Sequence, residues 1–179
     1  MNHMIHHMGN VTPHHESIVY HNLIQLGDEI VLNLGCGSFG TARIAQILAF
    51  RRKRLLVAAD INVAFLVAAR SHFVFGCQTT YIGADATSLG LRRASVGVIL
   101  ALGLFGNLRA MSGPAAWFAV LKESRRVLRK GGLMVISNSA VRQPAADFKE
   151  ASFEAGFTVD EYFEDTPSAT DPRYLLLMR

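Results

Sequence analysis

Gly35, Gly37 and Gly40 stand in the stretch IVLNLGCGSFGTARIAQIL, Ile30 to Leu48, between an apolar run and a pattern of helical spacing. Glycines so placed allow a tight turn and let backbone amides approach a ligand closely. The spacing by itself fits a dinucleotide, a phosphate or another nucleoside, because many binding loops share it. Two carboxylates narrow the choice. Asp60 follows Gly40 by 20 residues and closes the apolar run LLVAAD, where it can accept from both hydroxyls of a ribose. Asp85 follows Asp60 by 25 residues and closes TYIGAD, where it can accept from the exocyclic amine of an adenine. Acids at successive strand ends, beside a glycine loop, describe a ligand with one ribose and one adenine.

The elements that must position these groups follow from periodicity. Ile18, Val19, Leu23, Ile24 and Leu26 predict a helix from Pro13 to Leu26, with Thr12 as N-cap and Gly27 as stop. EIVLNL is the first buried strand. Ala42, Ile44, Ala45, Ile47 and Leu48 form the next helix, closed by the cations of RRKR. LLVAAD is the second strand and Val63 to Phe73 a helix. TYIGAD and VGVILAL are the third and fourth strands. A helix from Pro114 to Leu128 stops at Lys130-Gly131-Gly132, and LMVISN is the fifth strand. After a helix from Ala145 to Ala155, FTVDEYFED and RYLLLMR are joined by TPSATDP, too short for a crossover helix, so they pair as an antiparallel hairpin at one edge. Near-continuous apolar strands alternating with helices imply a parallel sheet covered on both faces: an α/β, doubly wound fold.

The chain of 179 residues, 50% of them hydrophobic, suits one domain over residues 1–179. Residues 1–12 are expected to be flexible, and residues 13–27 to form a helix that acts as a lid rather than as folding core. No apolar run approaches the roughly 20 residues of a membrane-spanning helix, and the start MNHMIHHMGN lacks the pattern of a secretory signal. A cytoplasmic location without membrane contact is the expectation. Cys36 and Cys77 are the two cysteines, one of them inside the glycine loop, which argues against a structural disulfide. Six histidines precede residue 22, His3, His6, His7, His14, His15 and His21, but no Cys or carboxylate set completes a metal site. The 18 Lys and Arg against 14 Asp and Glu give a net charge of +4, and the basic residues fall in short separate groups that solvated helix ends explain. A nucleic-acid partner is the weaker reading.

The order of motifs resembles the class I S-adenosylmethionine-dependent methyltransferases, over about Ile18 to Arg179. VLNLGCGSFG is similar to that family's first motif, LLVAADIN to its second, and YIGADATSLGLRRASVGVILA to its third and fourth. VLKESRRVLRKGGLMVIS resembles its helix and fifth strand, and ASFEAGFTVDEYFED the element before strand six. The resemblance implies a Rossmann-like seven-stranded sheet of order 3-2-1-4-5-7-6 with strand seven antiparallel. It also implies S-adenosyl-L-methionine as cofactor. Gly35, Cys36 and Gly37 would line its methionine part, with Gly40 completing the loop. Asp60 would hold the ribose with Ile61 against the adenine, Asp85 and the backbone of Ala86 would read the adenine edge, and the Ala101 carbonyl would face the ammonium. Asn33 stands where the family usually carries an acid that balances the methionine end, and Gly97 where an acid is usual near the start of strand four.

Acceptor-side candidates are His14, His15 and Tyr20 on the first helix, with Asn107 in a turn after strand four. The branch that methylates amines of nucleic-acid bases and of glutamine carries an Asn or Asp, two prolines and an aromatic at that point; here the residues are ALGLFGNL. A small-molecule acceptor is the resulting expectation, for a monomer or a homodimer with Trp117 and Phe118 in the core or at the contact. Other readings are a non-catalytic S-adenosylmethionine-binding module, a nicotinamide-dependent oxidoreductase and an RNA methyltransferase.

Overall fold

Apolar runs become strands and amphipathic stretches become helices in a computed structural model that describes residues 13–25, 30–38, 40–49, 55–71, 77–112, 114–139, 145–165 and 173–179. In chain order the elements are α1 (Pro13–Gln25), β1 (Ile30–Leu34), α2 (Gly40–Ala49), β2 (Leu55–Asp60), α3 (Val63–Ser71), β3 (Gln78–Gly83) and β4 (Val96–Leu102). They continue as α4 (Leu104–Ser112), α5 (Pro114–Val127), β5 (Leu128–Ser139), α6 (Ala145–Glu154), β6 (Val159–Asp165) and β7 (Arg173–Met178). The strands form one seven-stranded sheet of order β3-β2-β1-β4-β5-β7-β6. β1 to β5 pair in parallel, and β7 runs antiparallel to both β5 and β6. Among the described residues no helix is long and apolar enough to cross a membrane.

Both faces of the sheet are covered, as the continuous apolar strands require. On one face Leu32, Leu34, Ile99 and Ile136 pack with Phe105 of α4, Trp117 and Leu121 of α5 and Phe148 of α6. On the other, Val31, Val98 and Val135 pack with Ile44 and Leu48 of α2 and with Val19 and Leu23 of α1. Trp117 is thus a core residue, 6.2 Å from the Phe148 ring, while Phe118 is half-buried against the same cluster.

Three expectations are corrected. β3 spans Gln78–Gly83, so Asp85 lies two residues beyond it. A helix, α4, begins immediately after β4, so Asn107 is helical rather than in a turn. β5 starts at Leu128 and runs through Gly131 and Gly132, with a register shift against β4 between Val96 and Val98, the position of Gly97. The apolar stripe of α1 packs on the sheet, with Val19 0% and Leu23 1% exposed. Apolar burial on that scale contributes about 1.5–3 kcal/mol per side chain. Residues 1–12, the RRKR group and Gly27 lie outside the described residues.

Candidate active site

The glycine loop leaves β1 and folds across the end of β2. The Gly35 amide donates to the Ala59 carbonyl at 2.9 Å and the Cys36 amide to the same oxygen at 3.1 Å. Gly35 has φ +66°, and a Cβ there would lie 2.7 Å from Leu104 Cδ1, so the loop packs closely on the start of α4. Gly37 has φ +56°, and its amide donates to Asp60 Oδ2 at 3.0 Å. Among the described residues, and apart from its chain neighbours, no atom lies within 4 Å of the position a Gly37 Cβ would take, so that backbone borders open space there. Gly40 begins α2.

Cys36 faces inward, packed with Ala58, Leu66 and Tyr81. Burial pushes its thiol up to about 11, against a lowering hydrogen bond from Thr41, with the Asp60 charge raising it further. A thiol so held stays protonated near neutrality and is a space-filling group rather than a nucleophile. Asn33, 3% exposed, donates from Nδ2 to Thr41 Oγ1 at 3.2 Å, which ties β1 to the first turn of α2.

Asp60 is engaged through both oxygens: Oδ2 by Gly37 and Oδ1 by the Asn62 amide at 2.9 Å. Asn62 in turn accepts from the Ala64 amide through Oδ1 at 3.0 Å and caps α3. Ile61 beside it is 72% exposed. The Asp60 carbonyl accepts from Ala84 at 3.1 Å, which joins the end of β2 to the segment leaving β3. Asp85 follows; its Oδ1 accepts from the Thr87 amide and hydroxyl, each at 2.8 Å, and its carbonyl from the Ser88 amide at 2.9 Å. Ala86 is half-buried against the core.

The β1–β4 ladder ends at Asn33↔Leu100, whereas the β4–β5 ladder runs on to Leu102↔Ser137. Successive connections leave β1 toward β2 and β4 toward β5, so the sheet order reverses between β1 and β4, and the carboxyl ends beside such a reversal are the usual place for a ligand in sheets of this kind. The glycine loop, Asp60, Ile61, Asp85, Ala86 and Ala101 all fall along this carboxyl edge. Of the acceptor-side candidates, Asn107 and His14 are exposed and Tyr20 is 39% exposed, but His15 is fully enclosed in the packing of α1 and does not reach solvent. His3, His6 and His7 lie outside the described residues.

The architecture is shared with solved structures. An S-adenosylmethionine-dependent methyltransferase from Methanosarcina mazei matches with a TM-score of 0.73 over 94% of this chain and 97% of its own, at 14% identity. The N-methyltransferase NodS from Bradyrhizobium japonicum matches with 0.70 over 92% and 95%, at 16% identity. Magnesium protoporphyrin IX methyltransferase from Synechocystis, with S-adenosylmethionine bound, matches with 0.69 over 91% and 77%, at 18% identity. At these identities the likeness shows the fold. No curated protein sequence matches the chain. Residues 32–136, more than half of the 179, match the family described as Methyltransferase domain, and the matched span holds the loop from Gly35, both carboxylates, β4 and α5. The chain belongs to the class I S-adenosylmethionine-dependent methyltransferase family and is an enzyme of that family, with S-adenosylmethionine as its methyl donor.

Proposed function

We propose that S-adenosylmethionine lies along the carboxyl edge of β1 to β4 and that its methyl group goes to a small-molecule acceptor entering beside α4 and the first turn of α1. The observation that carries this reading is the Gly37–Asp60 hydrogen bond, which fixes a ribose-accepting carboxylate against a bare glycine backbone, with a second carboxylate one strand further out. These residues fit the cofactor. Asp60 accepts from the ribose hydroxyls, with Ile61, an aliphatic side chain left in solvent, against the adenine. Asp85 accepts from the adenine amine and the Ala86 amide donates to the ring. Gly35, Cys36 and Gly37 border the methionine part, and the Ala101 carbonyl faces its ammonium. Asn33 acts from behind, through Thr41, and adds no charge to that end.

When bound, the sulfonium supplies a methyl group whose leaving group departs as a neutral thioether. The protein's part is to hold an acceptor atom in line with that methyl, and such positioning accounts for a large share of catalysis in reactions of this kind. The protonated Cys36 offers no competing nucleophile. A carboxylate acceptor needs no base. For a hydroxyl or an ammonium, His14, Tyr20 and Asn107 are the exposed groups from which a proton acceptor or an orienting hydrogen bond is drawn.

A small acceptor is favoured over RNA by how the cations are used. Arg126 is bound to Glu123 and to the Leu91 carbonyl, and Arg125 donates to the Gly156 carbonyl at 3.0 Å beside the Phe157 ring. Arg125 and Arg126 of this basic group therefore serve the fold. The test is transfer of labelled methyl to panels of small carboxylates, phenols, thiols and amines, with total RNA in parallel. Label on a small molecule is expected; label on RNA alone would overturn the acceptor class.

A further inference from the structure

The segment that carries Asp85 and Ala86, residues 84–95, crosses from β3 to β4 with no helix of its own, yet it is fastened at several points to the last two turns of α5. Glu123 Oε1 accepts from the Leu89 amide at 2.8 Å. Arg126 donates through Nη2 to the Leu91 carbonyl at 2.8 Å. The two side chains grip each other in a forked pair, Nε to Oε2 at 2.6 Å and Nη2 to Oε1 at 2.7 Å. The α5 backbone continues the contact, with the Ala94 amide donating to the Arg126 carbonyl at 3.0 Å and the Ser95 amide to that of Val127 at 2.9 Å. Ala94 is held at φ +53°, an unfavourable conformation for a residue with a side chain, which the surrounding bonds must enforce. On the other side, the Asp85 turn through Thr87 and Ser88 ends one residue before Leu89, itself 4% exposed in the core. The Asp85 turn and the Leu89–Glu123 hydrogen bond are thus separated by a single peptide link, Ser88–Leu89.

We infer that Glu123 and Arg126 are positioning residues for the adenine side of the cofactor site, acting through the Leu89–Leu91 backbone to fix the Asp85 carboxylate and the Ala86 amide. Neither residue touches the cofactor. The fork on α5 gives the segment one geometry, where the turn at Asp85 alone would leave it free to swing about Ala84. The inference rests on Asp85 reading the adenine amine, and the test separates the two.

Titration calorimetry on the full chain compares S-adenosylhomocysteine with S-inosylhomocysteine, in which a carbonyl replaces the adenine amine. Wild type should prefer the former by about tenfold or more, the worth of one hydrogen bond to a charged acceptor. Asp85→Ala should shrink the preference to the part supplied by the Ala86 amide, which loses its acceptor because N1 of the inosyl ring carries a hydrogen. Glu123→Ala and Arg126→Lys should shrink it several-fold, and Glu123→Gln, which keeps an acceptor for the Leu89 amide, should restore part of it. A role in stability alone would weaken both ligands equally and leave the preference intact in every α5 variant, and that result overturns the inference while the adenine reading stands. If Asp85→Ala leaves the preference unchanged, the adenine reading fails and the inference falls with it. Should Glu123→Ala not fold, Arg126→Lys and Glu123→Gln decide by the same criterion.

Discussion

The Gly37 amide donates to Asp60 Oδ2 at 3.0 Å while Oδ1 of the same carboxylate receives the Asn62 amide at 2.9 Å, so one side chain fastens the glycine loop on one side and the approach to α3 on the other. The Asp60 carboxylate and the glycine loop are therefore one mechanical unit. A change at Asp60 alters the loop as well as the contact it offers a ligand.

Asp60→Ala is expected to lower affinity for S-adenosylhomocysteine more than Asp85→Ala. In the proposed placement of the cofactor Asp60 accepts from two hydroxyls as well as ordering the loop, whereas Asp85 accepts from one amine, and each hydrogen bond to a charged group contributes roughly 1.5–3 kcal/mol. Calorimetry on folded variants measures both. Equal or reversed losses would mean that the two pockets are exchanged.

Gly35→Ala and Gly37→Ala should separate folding from binding. Both impose a left-handed backbone on a residue with a Cβ, at a cost of about 1–2 kcal/mol. At Gly35 the new methyl also meets Leu104 at 2.7 Å, so the larger loss is in denaturation midpoint. At Gly37 it enters open space at the loop, so the larger loss is in cofactor affinity. Thermal melts with and without S-adenosylhomocysteine distinguish the two outcomes.

Cys36 makes stability fall at high pH. Its folded-state value lies near 11 against an ordinary 9.0, so the contribution is complete below pH 9 and disappears as pH rises toward 11. Denaturation midpoints across that window should decline less steeply in Cys36→Ala, which should still transfer methyl groups. A variant without activity would assign the thiol a chemical role.

Leu23→Ala should destabilise the protein by about 2–5 kcal/mol, the usual cost of emptying a buried leucine site. For the same reason, removing residues 1–20, which include the fully buried His15 and Val19, should yield a chain that melts well below wild type. A truncated chain of wild-type stability that had lost only methyl transfer would instead make α1 a lid.

How much of this was legible in the sequence depends on local contrast. LLVAAD and VGVILAL have the bounds read for them because both are central strands, apolar on both faces. β3 was misplaced toward Asp85 because it is an edge strand, and Gln78 and Thr79 carry no apolar signal. α4 was hidden because ALGLFGNL runs from strand to helix with Gly103 between them and no polar cap. The start of β5 was masked by Lys130-Gly131-Gly132, which reads as a helix stop. The glycine loop and both carboxylates stood out by residue type. The Glu123–Arg126 fork did not, because an acid and a base three residues apart on a helix mark a solvated pair until the segment packed above them is known.

The most direct test of the account is a crystal structure with S-adenosylhomocysteine bound. The ribose hydroxyls should lie within about 3.2 Å of the Asp60 carboxylate, with the adenine amine against Asp85 and the methionine part over Gly35 and Gly37. An adenosyl group bound away from the carboxyl ends of β1 to β3, with Asp60 still held only by Gly37 and Asn62, would contradict it.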